Sequence, residues 1–98
     1  MTPLEIRLAA LAAAGQTITY GALGKDLGLR IADLTTALEI LMEADARDSR
    51  PFRATLLNAR GTDLPARGFF DKAAELGTWI DDRAAWVADQ RLRLASKT

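Results

Sequence analysis

Two leucine-spaced helical stretches, separated by the short turn Gly28-Leu29-Arg30, constrain this chain more than any other feature of it. Thr19 stands where a helix cap is needed, and Leu23 and Leu27 then share one face before Gly28 stops the stretch. After the turn, Ile31, Leu34, Leu38 and Leu41 mark the inner face of a further helix, with Ala37 and Met42 beside it. Two helices joined by a glycine-containing turn form a helix-turn-helix candidate.

The flanking segments add elements on both sides. Thr2-Pro3-Leu4-Glu5 reads as a capping box, with proline at the first helical position, opening a helix that buries Leu4, Leu8 and Leu11 and stops at Gly15. Ile18, between two threonines and ahead of Tyr20, reads as a short strand. Beyond the turn-rich segment that ends at Pro51, residues 52 to 58 alternate: Phe52, Ala54 and Leu56 on one side, Arg53, Thr55 and Leu57 on the other. That alternation predicts a strand. A glycine- and proline-rich tip follows, and "LPARGFF" at 64–70 is expected to return as its partner in a β-hairpin. Asp71 to Leu76 reads as a helical turn or two closed by Gly77. Thr78 is then expected to cap a last helix, with Asp81 and Asp82 in its first turn and Arg91, Arg93 and Lys97 in its last, matching the helix dipole. Ile80, Val87 and Leu94 recur every seven residues in this stretch, and the same spacing puts Trp79 and Trp86 on one face.

Composition narrows the chemistry. The chain has 98 residues, the length of a single domain, and 49% are apolar, too many for a disordered segment. Thirteen basic and thirteen acidic residues cancel, so no global field draws the protein to nucleic acid or to an anionic membrane. Cysteine and histidine are both absent. Thiol nucleophiles, thiolate metal sites and the usual general base near neutral pH go with them. Ser49 and Ser96 have no histidine to activate them, and the carboxylates Glu39 and Glu43 lack the histidine that a hydrolytic metal site favours. No enzymatic activity, cofactor or metal is expected. No apolar run approaches the ~20 residues needed to cross a bilayer, and the N-terminus lacks a signal-peptide pattern, so a cytoplasmic location is expected.

Helix, short strand, helix, helix, strand, wing, strand is the order of a winged-helix domain. The segment "ITYGALGKDLGL" at 18–29 resembles the strand-to-helix step of the winged-helix DNA-binding half of alkylguanine alkyltransferases and alkyltransferase-like proteins. Together with "LPARGFFDKAAELG" at 64–77 it is similar to a group of small uncharacterised bacterial winged-helix-like proteins. The resemblance covers roughly residues 16 to 77. It implies a mainly α fold with a small β-hairpin (α+β), winged helix-turn-helix-like, over residues 1–77; residues 78–98 lie outside it and read as an added C-terminal helix packing on it or at a dimer interface. Alkyltransferases carry a Pro-Cys-His-Arg nucleophile motif; without cysteine or histidine, alkyl transfer is excluded and the DNA-binding scaffold alone carries over.

Charge is distributed unevenly across that scaffold. From 20 to 45, Lys25 and Arg30 stand against Asp26, Asp33, Glu39, Glu43 and Asp45, net minus three. The outer face of the third helix shows Thr35, Thr36, Glu39 and Glu43, an acidic surface that phosphates repel. From 46 to 68 the sign reverses: Arg47, Arg50, Arg53, Arg60 and Arg67 oppose Asp48 and Asp63, net plus three. The leading expectation is therefore a regulatory or accessory protein that contacts DNA backbone phosphates through Arg30, Arg50, Arg53, Arg60 and Arg67. Alternatively the arginines pair locally with Asp48, Asp63 or the acidic helix. At least one of Phe69 and Phe70 is expected in the core, the alternative being a stacking platform for an unpaired base. The competing function is a protein-interaction or homodimerisation module without nucleic-acid binding. It would use the acidic helix or a face made of Trp79, Ile80, Trp86, Val87 and Leu94.

Overall fold

The computed structural model describes residues 1–96, so the last-turn charge expected at Lys97 lies outside the described residues. Helix α1 runs Pro3–Ala14, and its capping box is complete: Thr2 Oγ1 accepts from the Glu5 N–H at 3.2 Å while Glu5 Oε1 accepts from the Thr2 N–H at 3.0 Å. Leu4, Leu8 and Leu11 are its buried face. Strand β1 is Ile18–Thr19, and Thr19 Oγ1 accepts from the Ala22 N–H to cap α2, Tyr20–Leu27. The following turn needs glycine twice. Gly28 has φ +67°, the left-handed region, and a Cβ on Gly24 would stand 3.0 Å from the Leu29 carbonyl oxygen.

Helix α3, Ile31–Arg47, is the longest element and the axis of the core. Its buried residues are Leu34, Leu38, Met42 and Asp45. The expected inner face is thus rotated: Ile31 is 52% exposed and Leu41 half-buried, while Asp45, counted in the acidic balance of residues 20 to 45, is completely buried. Burial of Asp45 has a specific cause. The Arg53 guanidinium meets its carboxylate at 2.9 and 3.0 Å, and the Arg53 backbone N–H donates to it at 3.0 Å.

The strand expected over 52–58 is mostly a 3₁₀ turn, Arg53–Leu56, followed by β2, Leu57–Asn58. Side-chain hydrogen bonds, near and distant in sequence, override the alternation. Asp45 holds the Arg53 N–H, Gln90 Oε1 accepts from the Phe52 N–H at 2.7 Å, and Thr55 donates its hydroxyl to the Phe52 carbonyl at 2.7 Å. Ala54, Thr55, Leu56 and Leu57 are all buried, so no face of this segment meets solvent. The β-hairpin is not formed. Strand β2 pairs in parallel with β1, Ile18 opposite Leu57 and Thr19 opposite Asn58, and "LPARGFF" does not return as a strand. Instead α4, Arg67–Glu75, begins four residues earlier than the helical turn expected at Asp71. Its cap Ala66 supplies no side-chain acceptor, and the Ala66 N–H is held by the Tyr20 hydroxyl oxygen at 3.1 Å.

The last helix, α5, runs Arg83–Ala95 with Asp82, not Thr78, as its cap. The Asp82 carboxylate accepts from the Ala85 N–H, whereas the Thr78 N–H closes α4 by donating to the Ala73 carbonyl. Trp79 and Ile80 consequently precede the helix and share no helical face with Trp86. Helix α5 packs on α1 and the 3₁₀ turn, placing Val87 and Leu94 in the core. The chain is mainly helical with a two-stranded parallel sheet.

Glu5 joins this core from the other side, its Oε2 lying 3.0 Å from Arg53 Nη1. Replacing Asp45 by alanine removes a fully buried ion-pair partner, and urea denaturation should show a loss of about 3 kcal/mol. Hydrogen bonds from the Thr2 backbone and from Arg53 hold the Glu5 carboxyl down to about 2. A carboxylate with a depressed folded pKa stabilises the fold above its ordinary value, and that contribution disappears as pH falls toward the folded one. Wild-type stability should therefore decline between about 4.5 and about 2 more steeply than that of Glu5→Gln, measured by chemical denaturation across that window.

Candidate functional site

An open apolar cavity of about 270 Å³ lies between α3 and the loop that leads into α4. Ile31, Leu38 and Met42 of α3 form one wall, and Ala54, Ala66 and Phe69 form the other. Tyr20 and Thr35 contribute hydroxyls, and Glu39 and Arg60 add charges of opposite sign. The loop folds back on itself, with the Ala59 N–H donating to the Leu64 carbonyl at 2.7 Å, which carries Arg60 to the cavity edge. Gly68 lines the mouth, and a Cβ added there would meet nothing within 4 Å. On the α4 side, Lys72 Nζ reaches Glu43 Oε2 of α3 at 2.8 Å, joining the two helices and raising the affinity of Lys72 for its proton.

Tyr20 ties the site together. Its ring lines the cavity and its oxygen accepts the Ala66 N–H that no cap residue satisfies. Burial pushes the phenol's pKa up, with the Ala66 hydrogen bond opposing. As the oxygen already accepts, its proton remains available to an acceptor within the cavity.

The five arginines expected to face phosphate do not form one surface. Arg53 is turned inward onto Asp45 and Glu5. Arg50 lies 3.4 Å from Asp45 and 3.3 Å from Asp48, the local pairing weighed as the alternative. Arg30 is exposed at the start of α3, 3.7 Å from Asp33. Arg60, which lines the cavity, and Arg67, which stands in the chain between the lining residues Ala66 and Gly68, are exposed and without an ion pair among the described residues. Asp63 pairs with Arg91 of α5 at 3.4 Å, and the Arg91 Nε–H donates to the Thr55 carbonyl at 2.7 Å, so this charge, expected in the last turn, is turned onto the fold.

The aromatic residues divide in the same way. Phe69 and Phe70 are both buried, which leaves no stacking platform there. Trp86 is half-buried, its ring 5.9 Å from those of Phe52 and Phe69. Of the expected interface face, Val87 and Leu94 are buried and Ile80 is half-buried. Trp79 alone of these five stands in solvent, 86% exposed. The described residues include no group of three or more acidic side chains arranged to hold a metal ion. No helix among them is long and apolar enough to cross a membrane. Compared with protein-family models, with curated proteins and with solved structures, the chain matches none.

Tyr20, Met42, Ala54 and Gly68 were not anticipated as site residues. Tyr20 carried a signal in the sequence: a tyrosine directly after a capping threonine, at the start of a short helix, has a hydroxyl that needs a partner once the ring is covered. Tyr20→Phe should cost about 1 kcal/mol by leaving the Ala66 N–H unpaired, and amide exchange at Ala66 should accelerate relative to the core of α4.

Proposed function

We propose that the protein is a non-enzymatic protein-interaction module whose docking site is the cavity between α3 and the start of α4. The observation that carries this reading is the cavity's construction: apolar walls on two helices, with Arg60 and Arg67 unpaired beside them. A volume of about 270 Å³ falls below the ~300 Å³ at which pockets for drug-sized ligands begin. It exceeds the ~150 Å³ cavity that takes up benzene. One aromatic side chain from a partner polypeptide fits that interval, and the neighbouring arginines favour acidic residues beside it.

The scaffold's likeness to a winged helix then rests on α2, the Gly28–Arg30 turn and α3, without a wing. Of the five arginines expected to meet phosphate, Arg30, Arg60 and Arg67 remain open to it, since Arg50 and Arg53 serve the fold. Contacts from these three alone give a salt slope of about −2.7, too shallow for a specific binder.

The aromatic anion anilinonaphthalene sulfonate mimics an aromatic anchor next to a negative charge. It should bind at one site with blue-shifted emission. Gly68→Leu should abolish that signal while leaving the fold intact, because a side chain at Gly68 has open space and leucine is the better helix former. Labelled duplex and single-stranded DNA should not bind even at low salt. Salt-sensitive DNA binding that drops in the Arg60→Ala/Arg67→Ala double variant would replace this reading with the nucleic-acid one.

A further inference from the structure

We propose that the partner is a second copy of this chain, docked reciprocally, with Trp79 of each subunit seated in the other's cavity. The inference rests on the reading of the cavity as a docking site and names its occupant. Three features of the chain fit together in it.

The first is an anchor without a socket of its own. Trp79 is the most exposed large hydrophobic residue described, and it lies on the non-helical segment between α4 and α5. Gly77 and Asp82 complete the adjoining helix ends without it, so Trp79 serves neither cap, and tryptophan is a typical interface anchor. The cavity is the matching socket, large enough for an indole ring and lined by Ile31, Leu38, Met42 and Phe69. Glu39 and Thr35 supply acceptors for the indole N–H, which a buried tryptophan needs.

The second is charge. Asp81 lies two residues after Trp79, exposed and without an ion pair among the described residues, while Arg60 and Arg67 flank the socket in the same condition. An anchor beside an aspartate is complementary to an apolar hole beside two arginines, the Glu39 carboxylate in the lining being taken up by the indole N–H.

The third is direction. The socket adjoins the N-terminal end of α4 and the anchor follows its C-terminal end. Arg67 opens that helix, the exposed acid Asp71 stands one turn further along it, and Glu75 at its end is 69% exposed while lying 3.4 Å from Lys72. Two copies of α4 laid antiparallel about a two-fold axis bring each N-terminal end, with its Arg67 and socket, to the other's C-terminal end, with its Glu75 and anchor. A contact that is self-complementary in this sense closes as a dimer and does not propagate.

Sedimentation equilibrium on the full chain up to about 1 mM tests this, with tryptophan emission followed over the same concentrations. Wild type should dimerise, and Trp79 emission should shift to the blue as it does so. Trp79→Ala and Gly68→Leu, both at exposed positions, should each weaken dimerisation at least tenfold with unchanged circular dichroism. Arg60→Glu/Arg67→Glu should weaken it comparably, and adding Asp81→Arg to that variant should restore at least threefold. A wild-type chain that stays monomeric, or a dimer indifferent to Trp79→Ala, overturns the proposal. If the chain is monomeric but the cavity still binds anilinonaphthalene sulfonate in a manner abolished by Gly68→Leu, self-docking fails and the wider docking reading stands. Loss of both signals removes the two together.

Discussion

The contact on which the rest of the structure depends is the bidentate meeting of Arg53 with Asp45. It is formed where α3 must turn into the segment that feeds β2, and Asp45 there is completely buried. Two charges removed from water make a costly pair, and a well-packed apolar substitute is often as stable. What this pair adds is placement. The same carboxylate accepts the Arg53 backbone N–H, and Arg53 reaches on to Glu5, which also completes the cap of α1. Three elements distant in sequence are thereby set against one another by a single guanidinium and two carboxylates.

Everything at the candidate site follows from that placement. With residues 53–56 coiled, β2 is short and meets β1, and the chain leaves it through the loop that bears Arg60. Tyr20 then receives the Ala66 N–H and fixes the start of α4 across from α3. The cavity is the space between these two constraints. Arginines close together in sequence end in opposite roles, Arg53 as an internal strut and Arg60 as a surface charge, and exposure alone separates them.

Helix boundaries were the most legible part of the sequence, because capping chemistry is local. Thr2, Glu5, Thr19, Gly15 and Gly28 each act where their residue type predicts. Reading failed where a distant partner decided the outcome. The alternation at 52–58 was real in the sequence, yet Asp45, Gln90 and Thr55 captured the backbone groups a strand would have used. "LPARGFF" lacked a strand to pair with once β2 had turned to β1, and Phe69, Phe70 and Ala73 found a buried helical face instead. Thr78 was a plausible cap, but Asp82 is a stronger one, and that shift of four residues released Trp79 from the helix. Of the site itself, the sequence singles out Arg60 and Arg67, but as phosphate contacts; the cavity is not legible there, since its walls come from parts of the chain that meet only through the fold.

The pairing of β1 with β2 also bears on how the molecule avoids unwanted contacts. Each strand is two residues long, and each gives its backbone groups to the other. A free strand edge invites addition of a further strand from another chain, and the invitation grows with its length. Edges this short offer too few hydrogen bonds to hold one. The fold thus has little template for fibrillar growth, despite a chain that is half apolar.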